Sequence, residues 1–249
     1  MPYSSRSYVN RYIPSSRFPV GLKWLLIANV TIFVIASVLS HSELGAYFGY
    51  LALVPRNVVH SYALWELVTY TFIHRGIGDI LWNMLALWMF GAELERLWGT
   101  RRFLRFYFLC GILAGIAVLI CAKYGGMNVP TLGSGGAVCG ILVAYGLMFP
   151  DQTILFSFLI PMKSKYFVMI IGGIIFLQAY LAGAPGIAMG AQLLGGLLAG
   201  FLLLRGRKLH TQVQQPILAG YKEWKLRRAK RKFEVYLRKQ DSNRDRWVH

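Results

Sequence analysis

The amino-acid sequence predicts an all-α polytopic membrane protein, and three observations carry that reading. Of 249 residues, 56% are hydrophobic and 15% charged, whereas soluble domains average about 25% charged. Apolar runs of membrane-crossing length recur along the chain. Positive charge is segregated: 14 of the 27 Lys and Arg fall in the last 45 residues, as expected of a tail beside a membrane surface. That distribution argues against nucleic acid as the reason for a net charge of +17. It fits anionic lipid headgroups better.

Residues 1–21 form a polar N-terminal segment in which Tyr3, Tyr8, Tyr12 and Phe18 alternate with Arg6, Arg11 and Arg17. Aromatics and arginines just before a span suit a cytoplasmic interface. The first span is expected over residues 22–39. The run keeps Lys23 at its start and is followed by no small-residue cleavage site, so it reads as a retained helix. Residues 40–78 contain apolar pieces too short to cross and rich in aromatics, which predicts an interfacial first outer loop. Further spans are expected over residues 80–97, 103–122, 135–149, 167–182 and 186–204. The stretch 153–161 is apolar but short and ends in Pro161, so it is read as interfacial.

Six spans place both termini on one side. With the termini inside, the inner segments hold 24 Lys and Arg, and the outer loops only Arg56, Arg75 and Lys123. That asymmetry predicts cytoplasmic termini, and the expected location is a bacterial inner membrane. Residues 206–249 form a basic tail with one amphipathic helix over 221–240. Leu226, Ala229, Phe233 and Leu237 line its apolar face.

Cys110, Cys121 and Cys139 sit in or beside apolar segments at spacings that suit no metal, so free buried thiols are expected. No nucleotide, haem or metal motif is present, and no cofactor is expected. The spans carry almost no ionisable residues with which to line a transport path.

Glycines cluster most densely at Thr131–Gly140, T-L-G-S-G-G-A-V-C-G. Paired glycines at Gly111/Gly115, Gly136/Gly140, Gly186/Gly190 and Gly196/Gly200 have the spacing that lets membrane helices approach closely. Together with Trp82-Asn83-Met84, Gly91-x-x-x-Glu95-x-x-x-Gly99, Arg102-Phe103-Leu104, Trp65 nine residues before His74, and the Gly195–Gly200 run, this pattern resembles the rhomboid family of intramembrane serine proteases over residues 22–205. The resemblance implies a six-helix bundle and a serine–histidine dyad supported by groups that hold an oxyanion.

Matched position by position, the chemistry is missing. The motif in the fourth helix puts Gly135 where the family has its nucleophilic serine. In the sixth helix, Leu193 stands at the histidine position. The second helix keeps Asn83, but Asp79 occupies the place of a frequent histidine, and the loop's Trp-Arg pair becomes Trp65-Glu66. Ser134 is one residue from the nucleophile position, about 100° away around a helix, and is expected to cap that helix. His74 is expected to make loop hydrogen bonds, and Asn83 a helix-packing bond. Asp79 is expected to complement the helix dipole or to meet a client.

The implied function is that of a catalytically dead rhomboid-like protein. Such a protein binds transmembrane segments of other membrane proteins, as an adaptor or as a structural subunit of a larger complex. Clients would enter between the second and fifth helices. Trp65, Glu66, His74, Gly136, Gly140, Gly196 and Gly200 are the candidate packing or client-binding residues. The alternative is an active protease with a non-standard site around Ser134, His74 and Asn83.

Overall fold

The computed structural model describes residues 18–40, 42–126, 128–156, 160–181, 183 and 186–205. Most of the N-terminal segment, and the expected helix at 221–240, lie outside them. The chain divides into two units, Met1–Leu202 and Leu203–His249; the first holds the bundle and the candidate site.

Helix α1 covers Val20–Leu39. The first loop is a chain of short helices: a 3-10 segment Glu43–Leu51, α2 over Pro55–His60, α3 over Glu66–Thr69 and a 3-10 turn Tyr70–Phe72. Then come α4 over Ile77–Trp98, α5 over Thr100–Gly125, α6 over Gly135–Met148 and α7 over Ser164–Leu181. Helix α8 runs Gly186–Arg205. The chain is therefore an all-α polytopic membrane protein, a six-helix bundle with an interfacial loop after α1. Helices α1, α5 and α8 are each long and apolar enough to cross a membrane, and α6 and α7 hold shorter apolar stretches.

One stretch departs from expectation. Within residues 153–163, β1 (Thr153–Phe156) and β2 (Ile160–Lys163) pair antiparallel, Thr153 opposite Lys163, so the segment read only as interfacial is a hairpin. Both strands are edges, which is where proline is tolerated, and Pro161 pairs with Leu155. Exposed Asp151 beside the hairpin receives Lys163 and Lys165, each at 3.2 Å. These ammonium groups hold its carboxyl below the usual range.

Helix α6 is the centre of the bundle. Every residue from Gly136 to Gly146 is buried, and a helix apolar all round belongs inside. Helices α4, α5 and α7 pack around it. Helix α8 comes closest, because neither face carries side chains at the crossing. A Cβ on Gly196 would overlap the Gly136 carbonyl oxygen, and one on Gly200 would lie 2.7 Å from the Gly140 carbonyl. On its other side, Gly140 meets the Cys110 sulfur of α5, at 2.5 Å from a Cβ built there. Large apolar side chains on α1 (Val34, Ile35, Val38) and α7 (Met169, Phe176, Leu177) are exposed, as lipid-facing surfaces are.

With 14 residues, α6 rises only about 21 Å, short of a hydrocarbon core about 30 Å thick. Non-helical backbone at membrane depth must be satisfied by protein. The segment before α6 meets that condition. Leu53 and Thr131 exchange backbone hydrogen bonds of 3.0 and 2.9 Å, and Gly133 N–H donates to the Tyr70 carbonyl at 3.0 Å. The first loop is thereby fastened over the start of α6.

Buried carboxylates hold the remaining joints. Glu95 accepts from the backbone N–H groups of Gly21 (2.8 Å) and Leu22 (2.7 Å) and from the Thr100 hydroxyl (2.6 Å). It thus caps α1 from the far end of α4 and uses donors that helix starts leave free. Glu66, 1% exposed, accepts from Val54 N–H at 2.8 Å and Asn57 Nδ2 at 3.0 Å. Of the two roles considered for it, packing or client contact, these bonds are packing: Glu66 fastens the loop internally. Trp65 beside it is exposed and donates to the Tyr50 carbonyl at 3.2 Å.

Candidate functional site

The site is built where α4, α6 and α8 begin. Gly133, at φ +99°, makes the left-handed turn that aims the chain into α6, a conformation that favours glycine. Gln192 Nε2 of α8 donates to the Gly133 carbonyl at 2.6 Å and ties the turn to α8. Gly135 then opens α6 directly beneath Leu193. A Cβ on Gly135 would lie 2.6 Å from Leu193 Cδ2 and 3.7 Å from Asn83 Oδ1. The sequence-matched nucleophile and base positions therefore face each other, with the leucine occupying the space beside the glycine.

Above this contact lies a cavity of about 340 Å³, lined in part by Asp79, Trp82 and Asn83 of α4, Gly135 of α6, and Gln192 and Leu193 of α8. Arg75 and Met189 also line it, with Arg75 Nη1 3.6 Å from the Met189 sulfur. Its polar groups are largely engaged with one another. Asn83 Nδ2 donates to Asp79 Oδ1 at 2.7 Å and to the Asp79 carbonyl at 2.8 Å. A carboxylate only accepts, which fixes that amide's orientation. Arg75 N–H donates to Asp79 Oδ2 at 3.1 Å, and Asp79 lies in the first turn of α4, where a negative charge meets the positive end of the helix dipole. Asn83 is thus folded back onto its own helix, its carbonyl facing Gly135.

One expectation is overturned behind this cavity and one is extended. Ser134 occupies the N-cap position of α6 but makes no side-chain capping bond, and His74 does not serve the loop alone. Instead, His74 Nε2 lies 3.3 Å from Ser134 Oγ. The physical reason is the left-handed turn at Gly133, which directs the serine hydroxyl inward toward the end of the first loop. Ser134 is 0% exposed and His74 8%, and neither lines the cavity. Burial pushes the His74 pKa below its ordinary value, with Asp79 and the Phe72 backbone opposing. The neutral imidazole is the favoured form.

Chemically, the open cavity offers hydrogen-bonding groups and two charged side chains but no nucleophile at Gly135 and no base at Leu193. The contact between Ser134 and His74 is buried in protein. Sequence reasoning named Ser134 and His74, 60 residues apart, as an alternative site but not their contact, and missed Arg75 as a wall of the cavity. Glu95 sat in a recognised motif, but nothing in the motif pointed to α1.

The family model for the Rhomboid domain matches residues 61–206, more than half of the chain, and the chain belongs to the rhomboid family. It is 39% identical over 80 residues to Rhomboid protease GluP of Bacillus subtilis, covering 32% of this chain and 15% of that protein. It is 28% identical over 127 residues to Rhomboid-like protein 19 of Arabidopsis thaliana, covering 47% and 40%. With the mitochondrial RHOMBOID-like protein 12 of the same plant it shares 29% over 155 residues, covering 56% and 45%. The chain thus aligns with less than half the length of each of these relatives.

Proposed function

We propose that this chain is a catalytically inactive rhomboid-like protein that binds transmembrane segments of other membrane proteins, as an adaptor or as a subunit of a larger membrane complex. One observation carries the reading: Leu193 fills the space beside Gly135. The two departures are mutually fitted. A serine side chain at 135 would collide with the leucine now standing at the histidine position. Asp79 supports the same reading, because an ionised carboxylate beside Asn83 would oppose a developing oxyanion rather than hold it. Residues 22–205 are taken as the membrane domain, with 1–21 and the basic 206–249 as cytoplasmic segments, the latter against anionic headgroups. In that orientation the cavity opens at the outer face of what we take to be a bacterial inner membrane. Clients would pass between α4 and α7.

The test is photocrosslinking from Trp82 and Leu193 positions in native membranes, together with labelling by serine-directed phosphonates. Captured membrane proteins with no phosphonate labelling are expected. A stoichiometric complex in mild detergent indicates a subunit, and a broad weak set an adaptor. Cleavage of a generic transmembrane substrate by the unaltered chain overturns inactivity.

The 3.3 Å contact of His74 with Ser134 favours a second reading, a protease acting through that pair. Nucleophilic catalysis requires the hydroxyl to reach substrate, and burial of Ser134 opposes it. Phosphonate labelling abolished by Ser134→Ala would establish this second reading.

A further inference from the structure

The cavity carries two opposite charges, Arg75 and Asp79, whose side chains form no ion pair with each other. Among the described residues the ion pairs are those of Asp151 with Lys163 and Lys165. The Arg75 guanidinium contacts the Met189 sulfur, and Asp79 takes the Arg75 backbone N–H rather than its side chain. A carboxylate has about four lone-pair sites, and the Asp79 side chain uses two. A guanidinium has five N–H donors. Both groups line a cavity of about 340 Å³, and that cavity sits at the N-terminal ends of α4 and α6, whose dipoles favour an anion.

A second cavity, of about 360 Å³, runs between α7 and α8 and is lined mainly by Ile175, Leu181, Met189, Gly190 and Leu193, with Gln178 its main polar side chain. Met189 and Leu193 line both cavities. A charged chamber at the helix ends therefore abuts an apolar groove facing the lipid side of the bundle, with two flexible side chains as the common wall. One chemistry matches both halves: a phosphate, an ammonium and an acyl chain in a single molecule that is present at that depth of the bilayer.

We propose that the two cavities form a binding site for a zwitterionic aminophospholipid. The phosphate is held by Arg75 and the helix N-termini, the primary ammonium donates to Asp79, and an acyl chain lies in the α7–α8 groove past Met189 and Leu193. The site selects a primary ammonium over a quaternary one. The former donates hydrogen bonds to the carboxylate, while a trimethylated nitrogen has no N–H. It selects a zwitterion over an anionic headgroup because the glycerol lipid carries the same phosphate charge but no cation to offset the Asp79 carboxylate. Asp79 stands where the family pattern has a histidine, so the selectivity belongs to this chain's own departure. The inference does not depend on client binding.

The test is native mass spectrometry of the full-length protein in mild detergent, mixed with equal amounts of phosphatidylethanolamine, phosphatidylcholine and phosphatidylglycerol of identical acyl chains. A charge-assisted hydrogen bond gained or lost corresponds to roughly tenfold in retention. The wild type should retain the ethanolamine lipid about tenfold over either competitor. Asp79→Asn should bring ethanolamine and choline lipids to equal retention, and Arg75→Gln should lower retention of all three. Leu193→Trp, filling the common wall, should reduce ethanolamine-lipid retention in a protein whose melting temperature shows it folded. Equal retention of the three lipids by the wild type means annular lipid only and overturns the proposal. So does preference for the glycerol lipid, or an ethanolamine preference that survives Asp79→Asn.

Discussion

Replacing Gly196 by alanine tests the packing that organises the bundle. The added methyl would overlap the Gly136 carbonyl oxygen, with the Gly136 Cα 2.8 Å away. Both are backbone atoms of the central helix, so no side chain can turn aside, and α8 has to move off α6. Overpacking a core costs about 1–3 kcal/mol where side chains adjust, occasionally more. An immovable backbone contact belongs at or above the top of that range. Alanine is favoured over glycine within a helix by about 1 kcal/mol, which offsets part of the clash and leaves a net loss of at least about 2 kcal/mol. That is roughly 30-fold in the unfolding equilibrium. Lipid tails offer no solvophobic force to keep the helices together, so close packing is what holds them. Gly173→Ala is the matched control, because nothing lies within 4 Å of a Cβ there. The assay is reversible unfolding in mixed micelles, read by tryptophan fluorescence. Gly196→Ala should be the less stable by about 2 kcal/mol or more. Gly200→Ala should resemble Gly196→Ala, and the double variant should cost less than the sum, because one displacement relieves both contacts. If Gly196→Ala is as stable as Gly173→Ala, α6 and α8 are not in backbone contact.

Three other outcomes follow from the same structure. Glu95→Gln leaves one of the two α1 N–H donors facing an amide N–H, and should destabilise by about 1–3 kcal/mol; a change in thermal midpoint no larger than that of an exposed control would contradict the capping role. His74 has a folded pKa below its unfolded value. The stability its neutral form contributes is therefore complete above about pH 6.5 and is lost as pH falls toward the folded pKa. His74→Asn should flatten the decline measured between pH 7 and pH 5, and an unchanged decline would remove His74 as its source. Gly135→Ser alone should yield no proteolysis of a fluorogenic transmembrane substrate, since Leu193 supplies no base. Cleavage by that single variant would show that the base position had been misassigned.

The order of the bundle was readable in the sequence because hydropathy is a local property. The spans read at residues 22–39, 80–97, 103–122, 135–149, 167–182 and 186–204 correspond to helices whose ends differ by three residues at most. The hairpin was not readable, because Ile154 and Met162 signal a strand only once they are paired. Gly135 and Leu193 could be set side by side through their places in a family motif. What each touches could not.

Ser134 and His74 show the difference most plainly. On a linear chain a serine before a helix predicts a cap, since capping needs only the next few residues. The structure turns that serine inward, because a left-handed Gly133 and a first loop bound to Thr131 bring His74 to it. Glu95 reached α1, and Glu66 turned inward rather than outward, for the same kind of reason: a buried carboxylate goes where free backbone donors are, and those lay on other elements. By itself, then, the sequence determined that the chain lives in a membrane and the order and extent of its helices. Tertiary structure alone decided which groups share a cavity, which are sealed away, and which glycines meet. Those depend on distances between segments far apart in the chain, which no local pattern encodes.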